Sequence, residues 1–295
     1  MEIDRRRILR RVAQGAAVGA AGALAAAGRP RRVSASPAGP ATSAPTGPAP
    51  AAFGAGADPL PAPWKPPAPP IVPRTLWQND QLPRPPQAQY DHTVRAIFVH
   101  HTASGDSYRP QDVPDIIRSI YIDHRESRGW DDIGYQFLVD RYGTIYEGRL
   151  GGVDQAVVGA QAQGFNHETV GVAVIGTYKP GVQVPAPVVE AIAQLAAWKL
   201  GSYGVDPHGR SELTSTSNES RYPTGTSHLF NAVSGHRDAC FTQCPGDAIY
   251  AVLPQVIDRA ASLLRAAPPA RPVLPIDAFR AIAPGSVKSP DAQGH

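Results

Sequence analysis

Cysteine is nearly absent from this chain of 295 residues. The two present, Cys240 and Cys244, allow one disulfide at most, which excludes a cysteine-stapled scaffold. A basic excess is missing from most of the sequence as well. The first 35 residues hold eight arginines against Glu2 and Asp4, a net of +6. The whole chain is +3, so taking away +6 leaves −3 for residues 36–295. Once that segment is set aside, nothing basic argues for nucleic acid or an anionic membrane surface as partner. Beyond residue 35 no apolar stretch approaches the ~20 residues of a bilayer span. No internal repeat is present.

What is abundant is glycine and proline, 28 and 32 residues. They are unevenly placed. Residues 1–35 read as an export signal. "DRRRILRR" is a charged opening, "VAQGAAVGAAGALAAAG" a weakly apolar Ala/Gly segment, and "VSA" before Ser36 a small-residue cleavage site. The paired arginines followed by Ile8-Leu9-Arg10 resemble a twin-arginine signal. The alternative is an uncleaved membrane anchor. Residues 36–71 read as a Pro/Ala-rich disordered linker, since twelve prolines lie between Pro37 and Pro70. Residues 267–295 read as a second Pro/Ala-rich tail.

Residues 72–266 have globular texture. "RAIFVHHTAS" predicts a buried strand feeding a loop. "VPDIIRSIYIDHRES" places Val113, Ile116, Ile117, Ile120 and Tyr121 on one helical face. "YQFLVDRYGTIYEGR" predicts a β-hairpin turning at Arg141-Tyr142-Gly143. "TVGVAVIGTY" predicts a central strand. "APVVEAIAQLAAWKLGSYG" predicts a helix with Val189, Ile192, Leu195, Ala196 and Leu200 inward. "GDAIYAVLPQVIDRAASLLRAA" predicts a last helix, kinked or divided at Pro254. Residues 206–231 read as a long polar loop. Mixed strands and helices predict an α/β fold, a central mixed β-sheet flanked by helices.

Nine histidines are available for chemistry. His100 and His101 end the first strand, where a rigid element meets an open loop. His236 stands eight residues before Cys244. Two imidazoles and a thiolate would make a three-ligand zinc site with one open position. Spacing alone leaves this open against solvated or core histidines, and leaves the cysteine pair open between a disulfide and a ligand plus a free thiol.

Four segments in order, "FVHHTAS", "RGWDDIGYQFLVDRYGTIYEGR", "VGAQAQGFNHETVGVAVIGTY" and "SGHRDACFTQCPG", resemble the zinc N-acetylmuramoyl-L-alanine amidases of the amidase-2 type. The likeness is greatest to their peptidoglycan recognition protein branch and covers about residues 72–262. It implies that fold, with His100, His236 and Cys244 as the Zn2+ ligands. It implies Tyr135 and Thr242 as catalytic residues. It also implies His101, His124, Trp130, Arg149 and Asn166 as the wall of a substrate groove. Each wall residue but His124 has a second reading: His101 in support of a ligand, Trp130 in the core, Asn166 in a turn, Arg149 in a surface ion pair. Asp131, Asp132 and Glu147 read as solvated or structural.

The implied reaction is hydrolysis of the amide between the muramic acid lactyl group and L-alanine of peptidoglycan. The alternative is a module that binds peptidoglycan without cleaving it. The implied setting is secreted or cell-wall-associated, as a monomer without stable membrane insertion after signal removal. Three positions depart from the pattern. Ala173 stands where the cytoplasmic branch has a glutamate, Gln161 replaces the histidine of "VGAH", and "GRLGG" replaces "GRGW". The last two are expected to affect stem-peptide specificity and leave the metal set untouched. Cys240 is expected to be a free, partly buried thiol.

Overall fold

The computed structural model describes residues 66–79 and 82–265. The expected export signal at residues 1–35, nearly all of the expected linker, and the expected tail at 267–295 lie outside the described residues.

Eight strands and four α-helices make up the described region. Six strands form one mixed sheet in the order β1-β4-β3-β5-β2-β8. These are β1 (Ile71–Val72), β2 (Ala96–His101), β3 (Phe137–Val139), β4 (Ile145–Glu147), β5 (Thr169–Val174) and β8 (Val233–Gly235). β2 is the hub. It pairs in parallel with β5 on one side and with β8 on the other. β3 lies parallel to β5 and antiparallel to β4. The β3–β4 connection is the predicted hairpin. The Asp140 carboxylate accepts the Tyr142 and Thr144 backbone N–H groups, and Gly143 takes φ +84. β1 begins at Ile71, the last residue of the expected linker, and pairs with Ile145.

Successive strand residues face opposite sides, and the apolar sequence is continuous because both faces are covered. Ile97, Val99, Phe137, Val139, Val172 and Val174 pack on one face beneath α2 (Ala186–Ser202) and α4 (Asp247–Arg265). α2 is buried nearly all round, with Ile192, Leu195, Ala196 and Leu200 fully inside and Val189 at the margin. α4 runs unbroken through Pro254, so the predicted division is absent. On the other face, Leu138 and Tyr146 meet α1 (Val113–Ile122) through Ile117 and Tyr121. A five-residue π-helical turn, Asp123–Ser127, continues α1.

Residues 206–231 depart from the expected loop. They contain β6 (Arg210–Thr214) and β7 (Ser227–Asn231), an antiparallel pair. Leu213 and Phe230 of this pair bury against Ala96, Phe98 and Phe165. A few apolar anchors suffice to fold a segment whose composition is otherwise polar. Cys240 belongs to the same buried cluster. Among the described residues no helix is long and apolar enough to cross a membrane.

Candidate metal centre

The C-terminal end of β2 carries His100, which is 1% exposed. β8 runs beside β2 and leads directly into the short helix α3 (His236–Ala239), so the sheet register brings His236 next to His100. Their ring centroids are 4.4 Å apart. Cys244 follows α3 on a loop tied back by the Arg237 N–H, which donates to the Cys244 carbonyl at 2.9 Å. Gly246 takes φ +86 there, and any Cβ would collide with the Tyr178 carbonyl. One ligand atom from each of His100, His236 and Cys244 lies within 4.8 Å of the others.

The donor set fits a zinc ion. His100 Nε2 lies 2.5 Å from Gln161 Oε1, an atom that only accepts. The proton is thereby held on Nε2, and the Nδ1 lone pair points towards Cys244 Sγ at 3.6 Å. Burial, followed by the neighbouring His236, holds the His100 imidazole well below its usual range. Burial likewise lowers His236 to about 4. Both rings are therefore neutral at pH 7, as ligation requires. Burial pushes the Cys244 thiol up to about 12, so only a cation placed among these donors would take its proton. The sulfur already accepts the His101 backbone N–H at 3.3 Å.

The supports of this set reach further than the sequence suggested. Gln161 does touch the candidate donor set, contrary to expectation, through its bond to His100. Its own amide donates to Thr169 Oγ1 at 3.1 Å, and Thr169 Oγ1 donates to the Phe165 carbonyl at 2.6 Å. Gly171 of β5 makes the space, since a Cβ there would come within 2.5 Å of Gln161. The substitution at "VGAQ" was the available signal, and only its distance from His100 in the chain concealed it.

The other predicted residues fall around this centre. Tyr135 lies just before β3, half-buried, with its ring centroid 5.1 Å from that of His100. Burial, then the Cys244 charge, raises its phenol well above the usual value. Thr242 Oγ1 accepts the Cys244 N–H at 3.1 Å. His124, in the π-helical turn, sits between Tyr135 and Trp130, its ring centroid 5.4 and 4.6 Å from theirs. Its Nδ1 accepts the Gly134 N–H at 3.0 Å, and burial lowers its pKa to about 4. Trp130 is half-buried beside it, with the Arg128 guanidinium 5.4 Å from its ring. Arg149 forks onto Asp131 at 2.8 and 2.9 Å. Asn166 Oδ1 accepts the N–H groups of Gln161 and Ala162, a turn-holding arrangement. The His101 side chain keeps a buried Nδ1 without a hydrogen-bond partner. Ala173 is the register partner of His100 on β5, so no carboxylate stands at that position. Both cysteines are free thiols. Asp132 is structural, accepting from Arg74 and from the Leu150 N–H.

The N-acetylmuramoyl-L-alanine amidase family model of the amidase-2 type matches residues 90–247, more than half of the chain. The chain belongs to this family. Curated relatives include a peptidoglycan-recognition protein of Drosophila melanogaster, 34% identical over 139 residues, 47% of this chain and 72% of that protein. The endolysin of Enterobacteria phage T3 is 42% identical over 84 residues, 28% of this chain and 49% of the endolysin. Among solved structures, Drosophila PGRP-LB is 24% identical with a TM-score of 0.47, covering 61% of this chain and 90% of its own. The chain thus has both recognition proteins and phage endolysins among its relatives.

Proposed function

We propose that the protein is a zinc-dependent N-acetylmuramoyl-L-alanine amidase acting on bacterial peptidoglycan. It hydrolyses the amide between the lactyl group of N-acetylmuramic acid and L-alanine of the stem peptide. The observation that carries this reading is the convergence of His100, His236 and Cys244 ligand atoms within 4.8 Å at the end of β2. These three residues would hold the ion. When bound, zinc supplies a Lewis acid that polarises the amide carbonyl and acidifies water towards a pKa of about 7.

The chain's own groups supply the rest. Tyr135 stays protonated, because burial raises its phenol, and so donates a hydrogen bond as charge grows on the amide oxygen. Thr242 Oγ1 accepts from the Cys244 N–H, which leaves its hydroxyl proton to donate to the same oxygen. His124, Trp130 and Arg149 form the flank that receives the stem peptide. His101 and Asn166 border the groove, with Asn166 acting through the Gln161 turn. The Ala173 methyl beside His100 leaves the β5 floor apolar.

The sequence of residues 1–35 supports export by a twin-arginine route to the wall, and replacing Arg5, Arg6 and Arg7 by lysine is expected to retain the protein inside the cell.

The deciding experiment pairs metal analysis of the pure protein with digestion of purified peptidoglycan. We expect about one zinc per chain. We also expect release of stem peptides bearing a free N-terminal L-alanine, abolished by chelation and by Cys244→Ala. Metal-free protein that retains wall fragments without cleaving them would overturn the amidase reading in favour of a binding module.

A further inference from the structure

Phe241 is 75% exposed, the most exposed large apolar side chain among the described residues. It stands next to Thr242 and three residues before Cys244. Its flanking residue Cys240 is buried, so the backbone here is anchored while the ring is turned out. The anchoring is specific. The Cys240 N–H donates to the His236 carbonyl at 3.0 Å and the Thr242 N–H to the Cys240 carbonyl at 3.0 Å. From the β6–β7 connection, the Arg221 N–H donates to the Ala239 carbonyl at 2.9 Å, and Arg221 Nε to the Cys240 carbonyl at 3.2 Å. The guanidinium carbon of Arg221 then lies 5.1 Å from the Phe241 ring centroid. An exposed aromatic ring packed by an arginine, one residue along the chain from Thr242, has the form of a binding platform.

We propose that Phe241 and Arg221 form a sugar subsite, taking the N-acetylhexosamine ring that bears the lactyl group. The proposal rests on the amidase reading above and adds the direction in which the substrate lies. On the Trp130 flank Arg128 and Arg149 are already paired with Asp123 and Asp131, so what sets the Phe241 flank apart is its exposed ring. The N-acetylhexosamine ring is neutral and lies on the acyl side of the scissile amide, which the proposed subsite assigns to the Phe241 flank. Pyranose C–H groups carry partial positive charge and pack on the negative face of an aromatic ring. The Arg221 terminal nitrogens, beyond the Nε that holds the Cys240 carbonyl, would donate to the sugar's acetamido or hydroxyl oxygens.

The test compares two soluble substrates of the zinc-loaded protein, a disaccharide muropeptide and the same peptide carrying only a D-lactyl group. Phe241→Ala is expected to lower the ratio of kcat/KM values, disaccharide over lactyl-peptide, by about tenfold. Phe241→Trp is expected to preserve the ratio and Arg221→Gln to lower it. An equal loss on both substrates, or no loss, overturns the subsite. Binding of the peptide-free disaccharide, followed by NMR line shifts in the same variants, reads the subsite without turnover. If wild-type protein cleaves neither substrate yet binds the disaccharide through Phe241, the amidase reading falls and the subsite stands. If wild-type protein cleaves but the disaccharide binds equally well to Phe241→Ala, the subsite falls alone.

Discussion

His100 Nε2 is bonded to Gln161 Oε1 at 2.5 Å, and that single contact determines which ring nitrogen faces Cys244. A partner of this kind typically changes metal affinity 10- to 100-fold when removed. Gln161→Ala is therefore expected to weaken zinc binding by about that factor, measured by competition with a chelating dye. Unchanged affinity would show that the ring is oriented by packing alone.

The two cysteines are not interchangeable. Cys244 faces His100, whereas the Cys240 thiol lies 3.6 Å from the Gln163 carbonyl within the Phe98–Phe165–Phe230 cluster. Cys240→Ala is expected to retain zinc and peptidoglycan hydrolysis, at a stability cost of roughly 1 kcal/mol. Cys244→Ala is expected to lose both. Zinc content and thermal melts of the two variants separate the roles. Loss of zinc in Cys240→Ala would contradict the assignment.

Acid should destabilise the metal-free protein in a defined window. His124 and His236 have folded pKa values near 4, lowered by burial. The unfolded chain therefore binds more protons between about pH 6.5 and 4, and stability falls as pH falls through that range. His124 alone contributes roughly 3 kcal/mol when the whole window is crossed. Its Nδ1 would also have to release the Gly134 N–H on protonation. His124→Phe should flatten the pH dependence of denaturant midpoints below 6.5, and an unaltered slope would refute it.

Outside the donor set, Arg74 and Asp132 form a buried ion pair at 2.8 Å, each side chain 4% exposed. Arg74 also covers the Trp77 ring at 4.5 Å. Arg74→Leu leaves the Asp132 charge without its partner and is expected to cost about 3–5 kcal/mol in urea unfolding. Arg74→Leu/Asp132→Leu should recover much of the loss, because no uncompensated charge remains. A double variant no more stable than Arg74→Leu would count against that account.

Much of this architecture was legible in the chain. The apolar β-branched runs of β2 and β5 and the Asp140–Gly143 turn announce their own structure, since period and turn chemistry are local. The grouping of His100 with His236 and Cys244 was legible only through the family resemblance, because nothing local connects His100 to residues 136 and 144 positions later. Three features escaped for physical reasons. The β6–β7 pair rests on two apolar anchors, Leu213 and Phe230, in a polar segment. α4 tolerates Pro254 through packing on α2 that propensity does not describe. Gln161 reaches His100 only because Gly171 lacks a side chain on a neighbouring strand.

The position of β2 between β5 and β8 also sets an order of events during synthesis. His100 precedes Cys244 by 144 residues. At about 5–20 residues per second, a ribosome needs roughly 7–30 s to cover that distance. Throughout that interval the chain lacks the full set of three donors, and β2 has an open edge where β8 will pair. Any export route that threads an unfolded chain would postpone ion loading until both strands and the thiol meet outside. On the proposed reading, a route carrying the finished fold would let the cytoplasm's zinc supply and reducing thiols complete the site before departure.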